Sequence, residues 1–181
     1  MRLFLAIDVP EEVRSPLDEV AAPWRERLPS GRWVPSENRH VTLKLLGWTS
    51  PELVGWIGSV VGEIAASTSP LRSCVDGLGA FPSARRARVL WAGFEDPGGA
   101  MRELAAGLDE ALAGEFAPEQ RGFTAHLTLA RFDPPAELGE ALGREVVRSE
   151  PFLVDRFTLY RSRLRRPAPL YMPLAVFPLA G

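Results

Sequence analysis

The chain of 181 residues contains two histidines, and both begin the same short pattern. His40 and Thr42 lie in His-Val-Thr-Leu, and His126 and Thr128 lie in His-Leu-Thr-Leu. Side chains alternate between the two faces of a β-strand, so each His and Thr would project from one face while the apolar residues point to the buried face. Two such faces opposite each other would supply an acid, a base and two hydroxyl groups for an anion. These are the groups that a phosphoryl-transfer site needs.

A structural role is the alternative for each histidine, because a histidine on a strand is often a half-buried residue that hydrogen-bonds its neighbours. Two independent structural histidines would have no reason to share their flanking residues. Since both occur in His-x-Thr-Leu and no other histidine is present, the pattern favours a functional pair.

Length and composition limit the class of protein. The chain is long enough for one domain with a substantial core, and its 46% hydrophobic and 24% charged residues are ordinary for a globular protein. A net charge of −2 argues against binding nucleic acid by bulk electrostatics, which leaves a small substrate or a nucleic-acid end. The single Cys74 excludes an internal disulfide, and no Cys/His cluster has zinc spacing. The apolar start ends too early for a signal peptide, and no stretch has transmembrane length, so we expect a cytoplasmic protein.

One arrangement of predicted elements occurs twice. Apolar, strand-like runs at residues 3–7 and 89–94 are each followed by acidic residues, a proline and a helical apolar spacing. Pro10 precedes His40 by 30 residues, and Pro97 precedes His126 by 29. Because these distances agree, we interpret the sequence as a duplication.

A second helix is predicted after each His-x-Thr strand, with Ser50 and Asp133 as the N-caps. Both helices are predicted from apolar residues at helical spacing: Leu53, Ile57, Val60, Val61 and Ile64 in the first half, and Leu138, Leu142 and Val146 in the second. Each half then returns to strand, at residues 71–75 and 152–160. A final strand is predicted at residues 171–177, and its prolines limit it to a sheet edge.

The sequence therefore predicts two β-α-β-α-β halves, about residues 1–85 and 86–181, each with its His-x-Thr strand at the centre. No long linker separates the halves, so we expect a single bilobal domain with one shared cleft.

Together these residues resemble the 2H phosphoesterases, in particular the RNA 2′,3′-cyclic phosphodiesterases of the LigT or ThpR type. The matching segments cover nearly the whole chain: residues 4–10, 32–34, 38–44, 46–47, 77–82, 123–131 and 159–162. The resemblance implies an α+β fold with mainly antiparallel sheets that face a central cleft and helices outside. The sequence departs from the family at Leu45, where an aromatic residue is frequent, and at Pro169, near where a glycine commonly precedes the residue that is Tyr171 here.

The resemblance implies hydrolysis of a terminal 2′,3′-cyclic phosphate of RNA or of a nucleotide to a 2′-phosphomonoester. One imidazole would activate water and the other would protonate the leaving ribose oxygen, and a pKa near 6.5 suits both tasks. The residues alone do not distinguish the two histidines. The resemblance implies His40 as the proton donor and His126 as the acceptor. Thr42 and Thr128 would donate hydrogen bonds to the non-bridging oxygens.

Arg131 is implied as a substrate-binding residue by the resemblance. Strict alternation from Thr128 places it on the opposite face of the strand, so a bend would be needed to bring it to the site. We expect no cofactor and no metal, because histidine and hydroxyl groups can stabilise the phosphate and a conventional metal-ligand cluster is absent from the sequence. The expected partners are RNA ends or nucleotides with a 2′,3′-cyclic phosphate, with no membrane and no obligate protein partner, and we expect a monomer.

Two alternatives remain open from the sequence. The same site could act on 2′-5′-linked RNA ends, as a ligase or phosphodiesterase, or on an ADP-ribose cyclic phosphate. In the other alternative the chain is a non-catalytic module that binds RNA ends, although binding alone does not require an acid–base pair. Two arginine groups, at residues 85–88 and 161–165, are either contacts for an RNA backbone or solvated surface.

Overall fold

The computed structural model describes residues 1–139, 142 and 146–181. In chain order, its strands are β1 (Arg2–Asp8), β2 (Arg32–Trp33), β3 (His40–Trp48), β4 (Leu71–Ser73), β5 (Val75–Phe81), β6 (Ala87–Phe94), β7 (His126–Ala136), β8 (Phe152–Val154), β9 (Arg156–Arg163) and β10 (Leu170–Pro178). The helices are α1 (Glu11–Arg14), α2 (Leu17–Arg27), α3 (Leu53–Ser67) and α4 (Ala100–Ala111).

Antiparallel pairing connects the long strands in the order β10-β9-β1-β3-β7-β6-β5, and β2 pairs with β7. The junction between β3 and β7 is narrow, with Val41 opposite Leu127 as its paired residues. It divides the sheet into a first lobe (β1, β3, β9 and β10) and a second lobe (β2, β5, β6 and β7). The predicted α+β fold with antiparallel sheets in two lobes is confirmed.

The two sequence halves exchange strands in space. β5 follows the first His-x-Thr strand in sequence but pairs with β6 of the second lobe. β9 follows the second His-x-Thr strand but pairs with β1 of the first lobe. The segments that cross between the lobes pair with each other as the two-stranded sheet of β4 and β8. The lobes are therefore interlocked, and neither is a continuous stretch of sequence.

Helices cover the face of the sheet opposite the histidines. Helix α3 buries Ile57, Val61 and Ala65, and α4 buries Met101, Leu104 and Leu108, at the three- and four-residue spacing of an apolar helix face. Helix α4 contacts β3 and α3, and α3 contacts β10. Apolar residues from both lobes and these helices form one continuous core.

Some local predictions were wrong. Ser50 is not the N-cap of α3, because the helix begins two residues later, after Glu52. Asp133 is not an N-cap either: β7 continues through it to Ala136, and its carboxylate faces Arg88 instead. The predicted helix through Leu138, Leu142 and Val146 extends over residues outside the described part of the chain.

Prolines interrupt or limit two elements, and only the second of these effects was predicted. The helix predicted before the first His-x-Thr strand is divided into α1 and α2 at Pro16, whose nitrogen has no hydrogen to donate. Strand β10 contains Pro173 and lies at the edge of the sheet, as predicted. Among the described helices, none combines the length and the apolar character needed to cross a lipid bilayer.

Candidate active site

The His-x-Thr segments lie side by side at the junction of the two lobes. Val41 and Leu127 are paired and buried, so the residues on either side of each point to the opposite, partly exposed face. Continuing this register by one residue places His40 across from Thr128 and Thr42 across from His126. The two histidines are then diagonal neighbours, a relation that corresponds to about 7–8 Å in a regular antiparallel pair. The structure therefore brings all four side chains to one surface.

A β-bulge places Arg131 on this same surface. Trp91 pairs with Thr128 and Leu90 pairs with Ala130, so Leu129 is an extra residue in β7. Leu129 and Ala130 are consecutive and both fully buried, and the alternation of faces is reversed beyond them. Arg131 is exposed, and its charge acts on both histidines. Strict alternation, which predicted the opposite face, was wrong because it did not include the bulge.

The same bulge occurs in β3. Leu5 pairs with Lys44 and Ala6 pairs with Thr42, which makes Leu43 the extra residue. The first seven residues of β3 and β7 have identical sequences of buried, intermediate and exposed positions. By this correspondence Leu45, which is 59% exposed, occupies in the first lobe the position that Arg131 has in the second.

Each imidazole is oriented by a backbone carbonyl two residues earlier in the chain. Nδ1 of His40 lies 2.8 Å from the carbonyl oxygen of Asn38, and Nδ1 of His126 lies 2.7 Å from that of Thr124. A carbonyl only accepts, so Nδ1 carries the hydrogen in both rings. Nε2 is then the nitrogen that can gain or lose a proton.

The segment before His40 is fixed by buried polar contacts. The guanidinium of Arg39 is buried and pairs with Asp18 at 2.5 Å, and it also donates to the carbonyl of Arg14. Asn38 donates its side-chain N–H to the carbonyl of Pro169 at 2.8 Å. These contacts fix the start of β3 between α2 and the residue that precedes β10.

Strand β3 is also tied to the second half by the only lysine of the chain. The buried ammonium of Lys44 pairs with Asp109 of α4, and it lies 3.3 Å from the carbonyl of Ala117. Asp109 also accepts the backbone N–H of Glu119. The pKa of Asp109 is lowered: burial opposes the shift, but the bonds from Lys44 and Glu119 outweigh it. This ion pair connects β3 to the helix and loop that lead to His126.

Aromatic and carboxylate groups surround His40 in the first lobe. The ring of Phe4 stacks on the imidazole at 4.9 Å, and Tyr171 meets it edge-on at 5.3 Å. Asp8 lies directly across from His40 in the β1–β3 register. Its two oxygens accept hydrogen bonds from Thr158, at 2.7 Å, and from Tyr160, at 2.5 Å.

Two aromatic side chains lie around His126 in the second lobe. Phe81 meets the imidazole edge-on at 5.0 Å, and Trp91 lies at 6.0 Å. The indole of Trp91 lies over Gly79, where a Cβ would come within 2.1 Å of the ring. Gly93 is across from His126, and a Cβ there would be 3.2 Å from the same indole. Glycine at position 79 is therefore required for this placement of Trp91, and a side chain at position 93 would be in tight contact with the ring.

Each lobe has a cavity near the start of its His-x-Thr strand. The cavity beside His40 has a volume of about 420 Å³ and includes Asp8, Glu11, Tyr160 and Tyr171 in its walls. The cavity of the second lobe has a volume of about 300 Å³ and is formed around Gly93 and residues 123–125, which directly precede His126. The first cavity leaves space for part of a ligand next to His40.

Burial lowers the pKa of both imidazoles. For His40, burial is opposed by the Asn38 carbonyl and the charge of Asp8, whereas Arg131 and His126 lower the pKa further. For His126, burial is opposed by the Thr124 carbonyl, and Arg131 lowers the pKa. Burial and the hydrogen bond to Asp8 raise the pKa of Tyr160, and burial raises that of Tyr171. Both phenols therefore remain protonated donors at neutral pH.

Sequence reasoning missed Asp8 and the tyrosines, although Asp8, Tyr160 and Phe4 belong to segments that carry the resemblance. Sequence spacing gives no sign that these residues meet, since Tyr160 lies 152 residues from Asp8, whose carboxylate it contacts. Within residues 1–139, 142 and 146–181, no group of three or more His, Cys, Asp or Glu side chains is placed to hold a metal ion.

A family model described as LigT like phosphoesterase matches residues 7–91 and 95–171, which is most of the chain. The chain belongs to the LigT-like phosphoesterases. One member, the RNA 2′,3′-cyclic phosphodiesterase of Methanothermobacter thermautotrophicus, is 31% identical over 184 residues, which are 99% of this chain and 99% of the relative. The protein of the same name from Geobacillus stearothermophilus is 30% identical over 98% of this chain, which spans 57% of that relative's length.

The fold is also that of a solved LigT-like phosphoesterase. The crystal structure of E. coli LigT complexed with 3′-AMP superimposes with a TM-score of 0.78 at 29% identity, and the match covers 99% of this chain and 98% of the E. coli chain. The predicted membership of the 2H phosphoesterases is confirmed by these similarities.

Proposed function

We propose that this LigT-like phosphoesterase hydrolyses the terminal 2′,3′-cyclic phosphate of RNA or of a nucleotide to a 2′-phosphomonoester. The observation that supports this most strongly is the pairing of Val41 with Leu127, because the adjacent imidazoles and hydroxyls of the two halves then share one surface. Relatives named RNA 2′,3′-cyclic phosphodiesterase match the chain over nearly its whole length.

The reaction needs proton transfer at both ends of a line through phosphorus. Nε2 of His126 removes a proton from water as the water oxygen forms its bond to phosphorus. The bond between phosphorus and the ribose O3′ breaks, and Nε2 of His40 gives its proton to O3′. The phosphate remains on O2′. The diagonal relation of the two histidines supports proton transfer on opposite sides of a bound phosphate, and the choice of His40 as the acid follows the resemblance to the family.

The non-bridging oxygens carry the negative charge of the transition state. Thr42 and Thr128 lie between the histidines on the same surface, where their hydroxyls can donate to these oxygens. Arg131 supplies the positive charge, and the bulge at Leu129 supports this role because it turns Arg131 to the face that carries the histidines. A guanidinium is well suited to this contact because it can donate two parallel hydrogen bonds to a phosphate.

Incubation of the purified protein with 2′,3′-cyclic nucleotides, followed by separation of the 2′- and 3′-monophosphates, tests the proposal. We expect the 2′-monophosphate alone, with the same rate in the presence and absence of EDTA. A panel with 2′-5′-linked oligonucleotides and an ADP-ribose cyclic phosphate distinguishes the alternative substrates. Binding without turnover on every substrate would contradict hydrolysis and support a module that binds RNA ends.

A further inference from the structure

The two histidines have equivalent positions in the lobes but different residues across from them. Asp8 is across from His40 on the neighbouring strand, and Gly93 is across from His126. One step further along the ladders, Ala6 is across from Thr42 and Trp91 is across from Thr128. The backbone relation is the same in both lobes, so the difference lies in the side chains.

At equivalent positions on the strands next to the two His-x-Thr strands, one lobe has a large residue where the other has a small one. In the first lobe the small Ala6 lies between Asp8 and Thr158, which hydrogen-bond each other at 2.7 Å. In the second lobe the large Trp91 lies between Gly93 and Gly79. The volume that contains a carboxylate and its hydroxyl donor beside His40 is therefore filled by an indole ring beside His126.

The carboxylate of Asp8 is held in a fixed orientation. Thr158 donates to one oxygen and Tyr160 donates to the other, at 2.5 Å. These two hydrogen bonds fix the direction in which the carboxylate oxygens point. A negative charge thus has a constant position on the strand next to His40.

We propose that Asp8 is a positioning residue that makes His40, rather than His126, the proton donor. The negative charge favours the imidazolium form of the ring across from it, and the Gly93 position supplies no equivalent charge to His126. The proposal rests on the function proposed above, since it assigns the acid and base within that reaction. It also gives a reason why two histidines with the same flanking pattern would differ in protonation.

Several other charged or titratable groups face His40, and the proposal depends on the balance among them. They are Tyr160 from β9, Tyr171 from β10, His126 and Arg131 from β7, and Glu11, Arg14, Glu37 and Arg39 from the walls of the adjoining cavity. The guanidinium of Arg39 is paired with Asp18, and Arg131 and His126 disfavour the imidazolium. Asp8 is the carboxylate in direct cross-strand register with the ring.

NMR titration of the imidazole signals tests the proposal without any need for turnover. Since the chain contains two histidines, each signal is assigned by comparison with His40→Asn and His126→Asn. We expect Asp8→Asn to move the titration of His40 to lower pH and to leave that of His126 in place. Glu12→Gln is the matched control, because it also removes one negative charge, from an exposed residue of α1 that does not face the site.

Kinetics give a second readout for the same variants. With a 2′,3′-cyclic nucleotide, Asp8→Asn should move the alkaline limb of the kcat/KM profile to lower pH and reduce kcat/KM at pH 7.5 by roughly threefold to tenfold, the effect of one charge at contact distance in water. Asp8→Glu keeps the charge and should restore the position of the limb. This rescue separates the charge of Asp8 from its structural contribution.

Three results would overturn the proposal: an unchanged His40 titration in Asp8→Asn, equal shifts of both histidines, or the same shift in Glu12→Gln. If the wild-type protein hydrolyses no cyclic phosphate, the proposed function fails, while the titrations still decide whether Asp8 controls the protonation of His40.

Discussion

The two lobes share a backbone plan but differ in the side chains around their histidines. Both have a central His-x-Thr strand with a bulge after the threonine, at Leu43 in one and at Leu129 in the other. His40 faces a carboxylate network, whereas His126 faces the rings of Phe81 and Trp91. The two lobes have the same His-x-Thr pattern with different neighbours, and the proposal above assigns the proton donor to the lobe that contains the carboxylate. Acid–base catalysis needs this difference.

The largest effect should come from the histidines themselves. We expect His40→Ala and His126→Ala each to reduce turnover of a cyclic phosphate by about 10²- to 10⁴-fold, the usual contribution of a general acid or base. A p-nitrophenyl phosphodiester then distinguishes the lobes, because its leaving group departs without a proton. On this substrate the loss in His40→Ala should be much smaller, while the loss in His126→Ala should persist.

Equal losses of both variants on the two substrates would contradict the assignment of His40 as the acid. Circular dichroism spectra that match the wild type serve as the control for folding of each variant.

The next prediction concerns the free energy of unfolding. It compares Lys44 of β3 with Ala130, its counterpart in β7. Asp109→Ala would leave the buried ammonium of Lys44 without its carboxylate, which typically costs about 3–5 kcal/mol of unfolding free energy. Lys44→Met removes the charge and keeps a long side chain, so we expect a smaller loss. Urea unfolding of both variants measures the difference.

Equal destabilisation by Asp109→Ala and Lys44→Met would show that packing rather than the ion pair connects β3 to α4. In the second lobe, Ala130→Val changes only the packing at the matching position, and it serves as a reference for crowding at this bulge.

A sharper test of the duplicated bulge uses Arg131 and its counterpart Leu45. Arg131→Met should reduce kcat/KM by roughly 10- to 100-fold, less than a fully buried oxyanion donor contributes because the guanidinium is exposed. Arg131→Lys keeps the charge and should recover part of the loss. In an Arg131→Met background, Leu45→Arg places a cation at the equivalent position of the other lobe, and partial recovery would support the correspondence of the two bulges.

The sequence contained the main features of the site but not their geometry. Period-two alternation predicted that His40 and Thr42 share a face, because that inference needs only local backbone conformation. It placed Arg131 on the wrong face, because Leu129-Ala130 is as apolar as a regular buried strand and the bulge is defined by the pairing partner on β6. The contact of Asp8 with Tyr160 joins residues 152 positions apart, and it depends on the exchange of β9 into the first lobe.

The fold shows the same division between local and long-range information. The strands and the apolar helix faces follow from spacing, and the edge position of β10 follows from Pro173. The exchange of β5 and β9 between the lobes cannot be predicted from spacing, since the residues of a strand do not determine by themselves which strand it pairs with.

The smallest effect we predict is the position of the pH optimum. Hydrolysis requires neutral His126 and protonated His40, so activity falls at low pH as His126 gains a proton and at high pH as His40 loses one. Burial lowers the pKa of both rings below the ordinary value of 6.5, and the maximum of kcat/KM lies midway between the two. We therefore expect that maximum below pH 6.5.

A bound phosphate stabilises both imidazolium forms, so the kcat profile, which reports the enzyme–substrate complex, should lie at higher pH than the kcat/KM profile. A kcat/KM maximum above pH 7, coincident with that of kcat, would mean that burial does not control these groups and that the contrast between the lobes has another origin.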